Sequence, residues 1–209
     1  GSTWSSTCWR TVPRRRRLER IFTWMPFRRP LSIFWTRSSA RSTRTGSTRT
    51  GSRRFWTRCS SAEARELVRQ GPLTPDHVIW TKALPLYVDD PGWEDPDRLA
   101  ERLRDAVAEY RRDYDATFEG CAKAKGVSRD KLDSTPRVVL LPGAGALCFG
   151  RSKREARIVA DITEHTLAAK ALGQAVGRYE SASPPDLFDG ADMDDDRAIN
   201  VARLLQSLD

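Results

Sequence analysis

Histidine is nearly absent. The 209 residues include two, His77 and His165, far apart and in no HxH pair. A catalytic zinc centre built on imidazoles needs several of them converging on one ion, and this chain has few to offer. Lysine is missing from residues 1–59, and that stretch has a single acid, Glu19. The four cysteines, Cys8, Cys59, Cys121 and Cys148, form no CxxC and no metal-ligand spacing. No apolar run approaches the ~20 residues of a membrane span, and no secretory apolar stretch is evident. The expectation is therefore a cytoplasmic chain without a membrane span. Cys121 and Cys148 are expected as small buried apolar residues in a reducing compartment.

Arginine is what the first 59 residues do contain. They hold 15 Arg and five of the seven Trp, with a near-repeat of Arg, Ser, Thr and Gly over 41–52. The net charge of +8 is generated here, and the remainder of the chain is net acidic. No helical or strand periodicity is sustained. Three readings fit: a basic arm using Arg for phosphate and Trp for stacking, an Arg-rich and acid-poor transit peptide, or an out-of-frame stretch. The abrupt change of composition near Ser60 favours the last, and the segment is expected to be disordered or irregular. Nucleic-acid binding is expected only if this arm is genuine.

Residues 60–188 read as a folded α/β unit. Ser60 and Glu63 fit a capping box opening a short helix that Gly71-Pro72 ends. A turn and then a strand are expected over Leu73–Lys82, with Leu84–Val88 extending it. Pro91, Gly92 and Pro96 mark a loop. From about Asp97 to Lys125, Leu99, Leu103, Val107, Tyr110, Tyr114, Phe118 and Cys121 recur at spacings of three and four, the stripe of an amphipathic helix. Gly126 is its natural stop, and Ser128 caps a further short turn. Val138–Leu141 suits a strand buried on both faces. A Gly-rich loop is expected over Pro142–Arg151. Ser152 then caps a second long helix, about 153–176, with Ile158, Ile162 and Leu172 among its apolar positions and Gly177 at its end. Residues 189–209 read as an acidic turn and a short terminal helix.

The loop after the central strand invites comparison with nucleotide sites. Gly145-x4-Gly150-Arg151-Ser152 nearly fits a phosphate loop, with strand before and helix after. However, Arg151 stands where the lysine point charge belongs, and the dinucleotide pattern begun by Gly143 and Gly145 meets Cys148 at its third glycine. A tight turn between packed elements is the main reading. Gly143, Gly145, Arg151 and Ser152 remain an anion-binding candidate for the phosphate or carboxylate of a ligand. Asp76 and His77 are the one acid–base pair the sequence suggests, against the simpler reading of a capped turn. Asp192, Asp194 and Asp196 lack the glycine and the closing glutamate of a calcium loop.

Two stretches carry a resemblance. Residues 71–82 (GPLTPDHVIWTK) and 137–181 (RVVLLPGAGALCFGRSKREARIVADITEHTLAAKALGQAVGRYES) are similar to bifunctional class II aldolase/short-chain dehydrogenase proteins of the rhamnulose-phosphate aldolase/alcohol dehydrogenase type. Residues 184–189 (PPDLFD) resemble the linker into their dehydrogenase part. Coverage is about residues 60–189. The resemblance implies an α/β fold, here a partial class II aldolase-like layered unit with two long helices and a few strands. It implies a carbohydrate-metabolism parent combining lyase and oxidoreductase activities. That parent would use zinc and NAD(P), and a sugar phosphate as substrate. The zinc-binding histidines would lie upstream and the Gly-rich cofactor motif downstream, so no cofactor is expected on this chain. Pro142 stands where the resembling element has a zinc-binding histidine. The expectation is a fragment inactive alone, a non-catalytic half that self-associates or packs against a complete protomer.

Overall fold

The computed structural model describes residues 32–36, 64–74, 77–92, 95–142 and 145–190. Four strands form one mixed sheet: β1 (Ser32–Thr36), β2 (Leu86–Tyr87), β3 (Val138–Leu141) and β4 (Gly145–Gly150), in the order β1-β4-β3-β2. β4 runs antiparallel to both its neighbours, and β2 runs parallel to β3. Among the described residues five helices pack around it: α1 (Ala64–Arg69), α2 (His77–Thr81), α3 (Pro96–Lys125), α4 (Lys153–Val176) and α5 (Pro184–Gly190).

The expected long helix is α3, and its boundaries follow from its caps. Asp95 is extended (φ −121°, ψ 109°), and its carboxylate accepts from the N–H groups of Asp97 and Arg98. Pro96 sits at the first helical position, where no N–H is needed. Gly126 closes the helix at φ 65°, a left-handed conformation that glycine adopts without a Cβ clash. Of the expected stripe, Leu99, Leu103 and Val107 are fully buried, whereas Tyr110, Tyr114, Phe118 and Cys121 are half-buried. α3 links β2 to the parallel β3, so β2-α3-β3 is a βαβ unit.

β3 is buried along its whole length, as expected of a continuous apolar run. Its neighbour is a correction. Most of the Gly-rich loop expected over 142–151 is strand β4, pairing Val138 with Cys148 and Leu141 with Gly145. The glycines Gly145 and Gly150 bound the strand, and the apolar run Ala146–Phe149 fills its interior, buried on both faces. A strand between two others needs no polar alternation, so the glycines were poor guides to a loop. β1 is the second correction. It lies within the segment whose composition shows no strand pattern, yet it pairs with β4 from Ser32↔Gly150 to Thr36↔Ala146. No turn follows Gly126 at Ser128.

Where a turn and then a strand were expected over Leu73–Lys82, His77–Thr81 is the helix α2. Val78 and Ile79 are both buried, and Thr81 Oγ1 donates back to the His77 carbonyl at 2.9 Å, the i to i−4 bond of a helical turn. Packing of these β-branched residues against α4 overrides their strand propensity. α4 begins and ends as expected, with Ser152 Oγ accepting from the Glu155 N–H at 3.1 Å and Gly177 after its last turn. Its core face differs. Ala156, Val159, Ala160, Thr163, Leu167 and Lys170 are buried, Ile158 and Ile162 are half-buried, and Leu172 is exposed. Small residues on the buried side let α4 lie close to β4 and β1. Val68, Val138, Leu140, Ala146, Cys148, Val159, Ala160 and Leu167 form this core layer. Cys148 is buried and reduced, and Cys121 is half-buried and reduced. The expected capping box at Ser60 and Glu63 and the terminal helix past 190 lie outside the described residues.

Candidate functional site

Where α4 meets β4, the N-terminus of the helix is capped from within. The Glu155 carboxylate accepts from the Arg151 backbone N–H at 2.8 Å and from Arg151 Nε at 3.3 Å. With Ser152 Oγ bound by the Glu155 N–H, this is a reciprocal cap one residue longer than the usual box. Gly150 makes it possible. A Cβ there would lie 2.4 Å from the Ala156 nitrogen and 2.7 Å from Glu155 Cβ, so strand and helix touch at van der Waals distance. Of the expected anion-binding residues, Arg151 and Ser152 are thus brought together beside an internal carboxylate. Gly145 opens β4 with φ 128°, about 17 Å away along a strand of this length. Gly143 lies outside the described residues.

Asp76 also lies outside them. His77 opens α2, half-buried, with its backbone N–H donating to the Thr74 carbonyl at 3.2 Å. His165 is exposed on α4. Among the described residues no group of three or more His, Cys, Asp or Glu is placed to hold a metal ion. Pro142 at the end of β3 is buried and has no donor side chain. The described residues do not fit a zinc centre.

The most unusual polar group is one the sequence did not single out. Lys82 follows α2 in the left-handed region (φ 63°), the single described non-glycine residue there, and is 2 % exposed. Its N–H closes α2 by donating to the Val78 carbonyl at 2.8 Å. Its Nζ donates to the Asp133 carbonyl and stands 3.7 Å from the centre of the Tyr114 ring. Burial, with the Arg137 charge behind it, lowers its pKa to about 7, against the opposing pull of Asp133 and Asp115. Nearby, burial would raise the Asp115 carboxyl. Hydrogen bonds from Lys131, at 2.7 Å, and from Ser134 more than offset this and hold it below the usual range. Burial raises Tyr114 to about 12.

A second buried lysine, Lys170 on α4, reaches back to the end of α1. Its Nζ donates to the carbonyls of Gln70 at 2.7 Å and Leu67 at 3.3 Å, and burial lowers its pKa to about 8. Lys82, Lys170, Thr81, Thr163 and Thr166 line a cavity of about 30 Å³. That space holds one or two waters and no sugar phosphate. Thr166 Oγ1 is buried there without a hydrogen-bond partner, a natural position for such a water. A neutral lysine amine has the chemistry of a base or nucleophile. With its nitrogen held by a carbonyl and a ring face, and no room for a substrate, Lys82 instead ties the end of α2 to α3 and to the 131–137 segment. The signal available in the sequence was a lysine directly after an apolar run, which is weak.

Residues 35–191 match the family described as aldolase class II, second domain. The match reaches upstream of the start expected near residue 60. A Bacillus subtilis (strain 168) protein named uncharacterized oxidoreductase YuxG is 31% identical over 129 residues, covering 59% of this chain and 18% of that protein. The chain therefore spans less than a fifth of that relative's length. No solved structure matches. No helix among the described residues is long and apolar enough to cross a membrane.

Proposed function

We propose that this chain, which belongs to the class II aldolase, second-domain family, is a non-catalytic aldolase-like region of a longer carbohydrate-acting oxidoreductase. The parent in this reading joins a ketose 1-phosphate aldolase part to a short-chain dehydrogenase part, with zinc and NAD(P) belonging to those parts. One observation carries the proposal. The likeness to a protein named as an oxidoreductase falls on a region that is 18% of that protein, and it accompanies a match to an aldolase family. The lack of a donor side chain at Pro142, where β3 ends, supports a supporting rather than a catalytic role for this strand.

In this reading the chain turns over nothing alone and acts by packing against a complete protomer. The Arg151–Ser152 corner is the place where a phosphate of the parent's substrate could bind, by displacing the Glu155 carboxylate from the helix N-terminus. The test is to assay the purified chain for zinc-dependent cleavage of ketose 1-phosphates and for NAD(P)-dependent alcohol oxidation, alone and mixed with a full-length relative. No turnover alone, with co-elution of chain and relative, is the expected result. Zinc-dependent cleavage by the chain alone overturns the proposal. Unchanged sugar-phosphate affinity in Arg151→Ala removes the phosphate corner from it.

A further inference from the structure

At the β2 end of the sheet, α3 and the segment leading into β2 enclose a groove of about 350 Å³. One wall bends at Ala83 and Leu84, passes Pro85 and enters β2. The other is a single face of α3, on which Ala106, Tyr110, Asp113 and Thr117 recur every three or four residues, flanked by Glu109 and Tyr114. The Tyr110 hydroxyl donates to the Leu84 carbonyl at 2.8 Å, and Pro85 stiffens the bend, so the groove is formed before anything enters it. Its volume falls at the lower end of small-molecule pockets, roughly 300–1,000 Å³. Leu84, at 39 % exposure, is one of the few large apolar side chains left open among the described residues.

The lining specifies what fits. Leu84, Pro85, Ala106 and the two tyrosine rings offer apolar and aromatic surface, to which a flat apolar body packs. Glu109 and Asp113 stand one helical turn apart, both exposed, and neither pairs with a cation among the described residues. Asp115, by contrast, is taken up by Lys131 and Ser134. The groove walls contribute no lysine or arginine. The cations nearest the tyrosines, Lys82 and Arg137, lie outside the lining. Residues one helical turn apart have Cβ atoms about 5–6 Å from each other, so one ammonium, with its three N–H donors, can bridge both carboxylates. Two unpaired carboxylates at the rim select positive charge and reject an anion.

We propose that this groove binds a small primary amine with an aromatic body. The body packs between Leu84, Pro85 and the Tyr110 and Tyr114 rings, and the ammonium bridges Glu109 and Asp113. The test is isothermal titration calorimetry on the full chain with phenethylamine, compared at fixed ionic strength with phenethyl alcohol, hydrocinnamate and ethylamine. Circular dichroism confirms that each variant is folded. Saturable binding of phenethylamine is expected. Phenethyl alcohol, which keeps the ring and loses the charge, is expected to bind about tenfold more weakly, as is ethylamine, which keeps the charge and loses the ring. Hydrocinnamate is expected not to bind. Glu109→Gln with Asp113→Asn is expected to weaken phenethylamine about tenfold while leaving phenethyl alcohol unchanged. The control Glu119→Gln with Glu180→Gln, away from the groove, is expected to bind phenethylamine as the parent does. No saturable binding, or an alcohol, acid or ringless amine that binds as tightly as phenethylamine, overturns the proposal. So does unchanged affinity in the Glu109→Gln, Asp113→Asn variant, or an equal loss in the control.

Discussion

Single atoms decide how β4 meets α4. Any side chain at Gly150 meets the Ala156 nitrogen and the Glu155 backbone, and backbone cannot rotate out of the way. Gly150→Ala is therefore expected to destabilise the fold by about 1–3 kcal/mol, the range of overpacked core positions, measured as a shift in the urea midpoint at constant slope. A midpoint equal to that of the parent would show that the helix can move away freely. The sequence showed the glycine but suggested a loop for it, because a Gly-rich stretch between strand and helix looks the same whether the glycines make a turn or permit close packing. Lys82 was less legible still. Nothing in a one-dimensional pattern distinguishes a lysine that closes a helix in the left-handed region from one on the surface, and its partners Tyr114 and Asp133 come from distant parts of the chain.

At the level of elements, legibility followed length and capping. α3 and α4 were readable because each has a full apolar stripe or a clear N-cap and ends at a glycine. The cap of α3 is testable. Asp95→Ala removes the acceptor for two otherwise unpaired N–H groups and is expected to cost about 1 kcal/mol, with exchange of the Asp97 and Arg98 amides accelerating before any others in α3. Uniform acceleration along the helix would instead mean that the whole element had loosened. Of the short elements, the first helix and the strands β2 and β3 were legible, but α2 and β1 were not. α2 has five residues, too few for a period to emerge, and its β-branched residues point to a strand until tertiary packing is known. β1 draws its pairing from β4 and not from any pattern of its own. The candidate site followed the same rule: Arg151 and Ser152 are visible as a helix start, whereas the occupation of that start by the Glu155 carboxylate emerges only in the fold.

Over the whole molecule, two buried lysines and two half-buried tyrosines among the described residues shape the response to pH. Lys82 and Lys170 have folded pKa values of about 7 and about 8, below the 10.5 of an ordinary lysine. Between those values the unfolded chain binds more protons than the folded one, so stability rises with pH, by at most about 1.4 kcal/mol per pH unit for each group. Burial raises Tyr110 and Tyr114 above the ordinary 10.0, so above that value the unfolded chain loses tyrosine protons first and stability falls again. Urea midpoints are expected to climb from pH 7 to about 10 and decline beyond, with Lys82→Met flattening the climb. A parent midpoint that falls steadily from pH 7 would contradict the buried, neutral-leaning state of both lysines.

The pairing of Ser32–Thr36 with Gly150–Ala146 has a consequence for the order of assembly. β3 and β4 meet across three residues, so their hairpin can close locally. β1 has its partner more than a hundred positions downstream, and closing so large a loop is entropically slow until the hairpin offers a template. On a ribosome the β1 segment emerges long before β4 exists, with no described strand to receive it. The central position of β4 thus makes the sheet a late event in biosynthesis, nucleated from the hairpin outward and completed by a strand synthesised well before it.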